Sequence, residues 1–173
     1  MSNKVAKVVI VDKDDKVIGF SDFGEALANG SIRRVSRVLL KRQNQILLQK
    51  RARQMKFYPN LWDCSAAGQV DEGETYIQAA QRELSEELGI EDIELKEICN
   101  YYSEEVVDRL VLRQYNSIFL AIYSNQSVTI QESEVDEVKW FEIYEIDRLV
   151  VKSPEIFTPA FLLSWRKFQQ LAL

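Results

Sequence analysis

Between Gly68 and Ile90 the chain reads GQVDEGETYIQAAQRELSEELGI, and the punctuation of this stretch leaves little choice but a short helix with an acidic ridge. Thr75 can cap the helix with its hydroxyl while Gln78, three residues on, reaches back to the free amide. Gly89 can take the left-handed turn that ends it. Between these signals Ile77, Ala80, Leu84 and Leu88 recur at spacings of three or four, an apolar stripe that needs a surface such as a sheet to cover it. The side opposite the stripe is left for chemistry. Glu83, Glu86 and Glu87 stand at i, i+3 and i+4, so their carboxylates share one face within an arc of roughly 100°. Such a cluster repels itself unless it is solvated or holds a cation. Oxygen ligands alone suit Mg²⁺ or Mn²⁺.

Spacing decides between a wet helix face and a metal site. The stretch has Gly68, five residues, Glu74, seven residues, Arg82, Glu83, Leu84, one residue, Glu86, Glu87, one residue, Gly89 and Ile90. It resembles the Nudix box at every fixed position. Seven such residues, each about one in fifteen, coincide at a given start by chance on the order of once in 10⁸. The resemblance implies an α/β/α sandwich with a mixed sheet, and hydrolysis of a nucleoside or other organic diphosphate. It also implies that Glu83, Glu86 and Glu87, with the Gly68 carbonyl, hold Mg²⁺ or Mn²⁺. Glu74 and Arg82 match positions that brace the loop against the helix, and Gly89 is structural.

A chain of 173 residues with 46% hydrophobic side chains is one domain's worth, so residues 1–173 are expected to form a single unit. Residues 1–29 read as an N-terminal extension containing a β-hairpin. No apolar run approaches the roughly 20 residues a membrane span needs, and the start is too quickly charged for a signal peptide. The expectation is a cytoplasmic protein. Cys64 and Cys99 then read as packing thiols. With no histidine in the chain, a Ser-His-Asp triad, a Cys-His pair and any imidazole metal ligand are excluded. Acid–base chemistry falls to carboxylates or metal-bound water.

The net charge of −5 hides a segregation. From Glu25 to Asp63 no acidic residue intervenes, while Arg33, Arg34, Arg37, Lys41, Arg42, Lys50, Arg51, Arg53 and Lys56 all appear. Most are expected to alternate along exposed strands and answer the acidic helix electrostatically, leaving one or two to clamp substrate phosphates. The acidic total and the lack of interleaved aromatics argue against a nucleic-acid polymer as partner.

Hydrophobic alternation places strands near 5–12, 16–22, 31–41, 45–52, 93–101, 107–124 and 135–141. Helices are expected near 23–29 and 143–150, with a terminal helix over 154–172. Phe157, Phe161, Leu162, Trp165 and Phe168 follow helical spacing in that last segment and read as core.

Residues 46–63, ILLQKRARQMKFYPNLWD, and the opening VIVDKDDKVIGFSD further resemble isopentenyl-diphosphate isomerases and the hydrolase-like Nudix proteins related to them. By that comparison Arg51 and Lys56 match basic residues that hold a substrate diphosphate. The isomerase chemistry itself needs a cysteine just before the box glycine and a histidine-rich metal site. Here those positions carry Ala67 and Gln69. Cys64 lies three residues too early, an odd offset that on a regular strand turns a side chain to the opposite face. Hydrolysis is therefore the expected reaction, with a non-catalytic nucleotide-binding regulator or the isomerase as alternatives. For the general base the resemblance offers a box glutamate, Glu86 or Glu87, or one from the later loop. In that loop Glu134 is preferred over Glu132 and Glu137, with Glu104 and Glu105 behind them. The partner is a small-molecule diphosphate, with no membrane involved. Dimers are common among such relatives, so a homodimer is one expectation, with the N-terminal hairpin as the surface that can make the contact.

Overall fold

The computed structural model describes residues 6–171. The elements follow in the order β1 (Val8–Val11), β2 (Val17–Ser21), α1 (Phe23–Ala28), β3 (Ile32–Arg42), β4 (Gln45–Arg51), β5 (Trp62–Asp63), β6 (Ala66–Gln69), α2 (Tyr76–Leu88), β7 (Lys96–Val107), β8 (Leu110–Ile122), β9 (Val135–Glu142), α3 (Ile143–Lys152) and α4 (Pro159–Gln170). One nine-stranded mixed sheet contains all the described strands.

Strand β3 is its centre. One edge pairs in parallel with β8 from Ile32 to Lys41. The other edge is shared by three antiparallel partners: β1 beside Ile32 and Arg33, β6 beside Val35 to Val38, and β4 beside Leu40 to Arg42. A strand so enclosed must be apolar on both faces, and Val35, Val38, Leu39 and Leu40 are all buried. Helix α2 covers one face, where Ala80, Leu84 and Leu88 meet Val38, Leu40, Leu47 and Phe119. On the other face Ile146 of α3 and Phe161, Trp165 and Phe168 of α4 meet Leu39, Ile46, Leu48 and Ile118. This is an α/β/α sandwich. Each fully buried Leu or Phe in these layers stabilises it by roughly 1.5–3 kcal/mol.

The β1–β2 hairpin is joined to the sheet rather than appended to it. Besides pairing with β3, it holds the loop ahead of α2, with Val9 N donating to Val70 O at 2.9 Å and Glu72 N to Lys7 O at 2.7 Å. The start of the first expected strand, residue 5, lies outside the described residues.

Three local expectations need correction. The segment expected as one strand over 107–124 contains a hairpin turn, because Asp108 and Arg109 both take left-handed conformations, with φ of 48° and 69°. Without a glycine, that turn carries no strong sequence signal. The helix expected over 154–172 starts later: Pro154–Ile156 form a single 3₁₀ turn and Thr158 caps α4, its Oγ1 accepting from Phe161 N at 3.0 Å. Residue 172 lies outside the described residues. Ile77 is 40% exposed rather than part of the α2 stripe, and Tyr76 packs in its place. Tyr76, Ala80, Leu84 and Leu88 form one i, i+4 row, and Ile77 is turned about 100° from Tyr76 around the helix axis.

Candidate active site

Helix α2 begins and ends as its residues dictate. Thr75 Oγ1 accepts from Gln78 N, Gln78 Oε1 accepts from Thr75 N at 2.8 Å, and Gly89 stops the helix at φ 64°. This fixes the rotation of the glutamates. Contrary to the expectation of a ridge opposite the apolar stripe, Glu83 and Glu87 flank the stripe and press against β6, only 7% and 2% exposed. Glu87 Oε2 accepts from Ala67 N at 3.0 Å and from Gln49 Nε2 at 2.9 Å. Beside it the Glu83 carboxylate fills the space over Gly68, where any Cβ would fall 1.8 Å from Oε1.

Burial pushes the Glu83 carboxyl up to about 7, against the pull of Arg82, while Glu86 and Glu134 add to the rise. Burial, then the charge of Glu83, raises Glu87 well above the usual carboxylate range. Two adjacent buried carboxyls of this kind are held as anions at neutral pH only by positive charge.

Part of that charge is Arg82. Its Nε and Nη2 fork onto Glu74 at 2.7 and 3.0 Å, and Nη2 also donates to Gln69 O at 2.8 Å. Glu74 Oε2 in turn accepts from Asp71 N at 3.0 Å. The remaining nitrogen, Nη1, donates to Glu83 at 2.6 Å and to Glu86 at 3.0 Å. Arg82 thus ties the box loop, by way of Glu74, to the acidic ridge. The Glu86 side chain is 55% exposed, and its bond to Arg82 is a surface i,i+4 pair worth only about 0.3–0.5 kcal/mol. Among the described residues no three acidic side chains already converge as a metal cage. The donors nonetheless fit a hard divalent cation: they are all oxygen, two are buried, and the third is held only by that weak pair.

A cleft of about 460 Å³ opens beside these carboxylates. Gly68, Glu74's partner Arg82, Glu83, Glu86, Glu87 and Glu134 line it, as do Arg51 and Lys56. Arg51 is half held by the protein, with Nε donating to Phe57 O at 3.1 Å and Nη1 lying 3.9 Å from Asp63. Lys56 is exposed above the Phe57 ring. Glu134 is positioned by its backbone, which accepts from Ala52 N and donates to Gln131 O. Glu105 reaches the cleft bonded to the Tyr58 hydroxyl. Glu132, Glu137 and Glu104 do not line it; Glu104 pairs instead with Arg113 at 3.0 Å.

The basic run does not behave as expected. Arg33 and Arg37 are buried, 1% and 5% exposed, and their side chains form part of the cleft floor. The ion pairs of the run go to Asp15, Asp63 and Asp136, not to the acidic helix. The missed signal was position: an arginine inside an otherwise apolar central strand has no solvent to reach. The Cys64 parity expectation also fails, because the chain crosses from β5 to β6 at that point. Cys64 packs with Leu39, and Ala67 pairs beside Arg37, so both lie on the α4 side of the sheet. Cys64 is sealed in the core even so, with burial lifting its thiol to about 12.

A central mixed sheet between helices, with a capped acidic helix docked on a glycine of its short strand, defines the class of fold and site. The NUDIX domain model matches residues 31–161, and the chain belongs to the Nudix family. An uncharacterized Nudix hydrolase of Pseudomonas aeruginosa is 33% identical over 131 residues, covering 75% of each chain. An isopentenyl-diphosphate Delta-isomerase of Photorhabdus laumondii is 28% identical, covering 87% of this chain and 85% of that protein. A crystal structure from Deinococcus radiodurans superposes with a TM-score of 0.77 at 20% identity, over 93% of this chain and 98% of that one. The protein is a hydrolase acting on pyrophosphate bonds. No described helix is long and apolar enough to cross a membrane.

Proposed function

We propose that this protein, acting as a single domain, is a Mg²⁺- or Mn²⁺-dependent pyrophosphohydrolase that cleaves a small organic diphosphate by attack of water on phosphorus. The observation that carries the reading is the pairing of two buried carboxyls against β6, Glu83 over the bare backbone of Gly68 and Glu87 on Ala67 N. Burying like charges together is costly unless a cation joins them. Glu83, Glu86 and Glu87, with the Gly68 carbonyl, would hold it. When bound, the ion would neutralise diphosphate oxygens and lower the pKa of an attacking water.

The chain's own residues supply the rest. Arg51 and Lys56 receive the diphosphate at the mouth of the cleft, Arg as a fork and Lys as a point charge. Glu134, on the loop facing the glutamates, takes the proton of the water as its oxygen bonds to phosphorus. The anhydride P–O bond breaks, and Arg51 meets the charge left on the departing phosphate. Glu86, the exposed member of the ridge, is the second candidate for the base. Gln49 and Ala67 N keep Glu87 aimed at the site.

Support against isomerisation comes from the cleft wall, where Ala67 and Gln69 offer neither thiol nor imidazole. The reading includes a cytoplasmic location and a homodimer joined through the exposed Val17, Ile18 and Phe20 of the N-terminal hairpin, which a sedimentation measurement checks. A panel of nucleoside diphosphates and triphosphates, nucleotide sugars and prenyl diphosphates, assayed at alkaline pH with Mg²⁺ and with Mn²⁺, tests the function. Phosphate or nucleotide release from at least one class is expected. No release from any of them sinks the proposal.

A further inference from the structure

The cleft does not end at the glutamates. It continues along β3, past Arg37 and Val35 to Arg33, where Phe23, Leu27, Leu112 and Gln114 close it. At this far end the charge is unbalanced. Arg37 is satisfied, with Nε donating to Asn116 at 2.9 Å, Nη2 to Gln114 at 3.3 Å, and Nη1 lying 3.7 Å from Asp63. Arg33 is not. It makes one hydrogen bond, from Nη1 to the neutral Gln69 Oε1 at 3.0 Å, while its buried Nε and Nη2 have no partner among the described residues. Its guanidinium sits against the Phe23 ring, 5.2 Å from the centroid, and no described acidic group pairs with it. Guanidinium does not shed its proton in proteins, so a full charge stays buried there without a counter-ion. That costs several kcal/mol unless something else occupies the place.

We propose that Arg33 is the seat of a second anionic group, a phosphate or carboxylate carried by the substrate beyond its reacting diphosphate. The reach is consistent with the strand. Gly68 lies opposite Ser36, three residues from Arg33, and a strand rises about 3.3 Å per residue. The second charge therefore sits roughly 10 Å from the box glycine. Two free N–H groups side by side on one guanidinium match the two oxygens of a phosphate or carboxylate. Gln69, which orients Arg33, is the residue directly after Gly68, so the two ends of the cleft share one strand. This inference builds on the pyrophosphohydrolase reading and narrows its substrate to organic diphosphates that bear a distal acidic group.

The test separates the two. In the metal-free protein, thermal unfolding is followed with added orthophosphate for wild type, Arg33→Met and Lys56→Gln. Arg33→Met keeps the length and apolar stem, and removal of an unpaired buried charge leaves the fold at least as stable. The stabilisation by phosphate is expected to fall much further in Arg33→Met than in Lys56→Gln, which trims the diphosphate site but leaves both Arg51 and Arg33 in place. The reverse pattern, or an undiminished response in Arg33→Met, overturns the assignment. With Mg²⁺, kcat/KM for a nucleoside diphosphate derivative bearing a second, distal phosphate is expected to fall roughly 10- to 100-fold in Arg33→Met, and far less for the same compound lacking it. Equal losses on both overturn it. Wild type that binds phosphate through Arg33 but turns over no diphosphate would refute the hydrolase reading alone.

Discussion

The Glu83 carboxylate occupies the place that a side chain at residue 68 would need, 1.8 Å from where its Cβ would be. Helix and strand touch here without an intervening atom, which makes the glycine a requirement of the site. Gly68→Ala is expected to push Glu83 off β6, destabilise the protein by about 1–3 kcal/mol and abolish pyrophosphohydrolysis. Denaturant unfolding and a turnover assay on the same preparation check both effects.

Glu87→Gln keeps an oxygen for Ala67 N and Gln49 Nε2 while removing the charge. The variant should fold with little change in stability in the absence of metal, since the amide replaces a carboxyl that burial already drives toward its protonated form. Turnover should fall by at least about 100-fold if the carboxylate ligates the ion. Retained turnover removes the assigned metal role.

The raised carboxyls make stability depend on pH in a definite direction. Glu83 goes from its ordinary 4.5 to about 7 in the folded state, mainly through burial, so the folded protein binds the extra proton between those values. Its contribution is complete below the unfolded value and is lost as pH rises through about 7. Without metal, the protein should therefore lose about 1–3 kcal/mol between roughly pH 5 and 8, with the rise in Glu87 acting the same way. Scanning calorimetry in chelator should show Tm falling over that range, and Mg²⁺ at the alkaline end should restore it. A Tm that rises with pH in chelator contradicts the burial of these carboxyls.

Arg82→Lys tests the brace. A point charge cannot make the fork to Glu74 and still reach Gln69 O and Glu83. A loss of about 1–2 kcal/mol in unfolding free energy is expected, together with lower activity and little change in far-ultraviolet dichroism. Unchanged stability would show that the loop is held by its backbone alone.

Local chemistry was legible wherever a residue acts on its near neighbours in sequence. Thr75 and Gln78 cap α2 because they are three residues apart, and Gly89 ends it because only a few residues tolerate its φ of 64°. The box spacing identified the family for the same reason, since its parts lie within one turn-helix-turn. The Asp108–Arg109 turn was hidden because Asp108 is followed by an arginine where a glycine would complete the usual left-handed pair, and the cross-strand register of β7 and β8 imposes it.

What the amino-acid order determined alone was the capped helix, its acidic ridge and the layered class of fold, because these follow from spacings of three, four and two along a chain. Which way the ridge faces, and which bases are buried, was decided only when β3 acquired partners on both edges and helices on both faces. Enclosure on all sides turned Arg33 from a surface charge into a buried one, and packing on Gly68 turned Glu83 from a solvated acid into a buried carboxyl that binds its proton more tightly. Burial is a property of neighbours distant in sequence, and no local pattern encodes it.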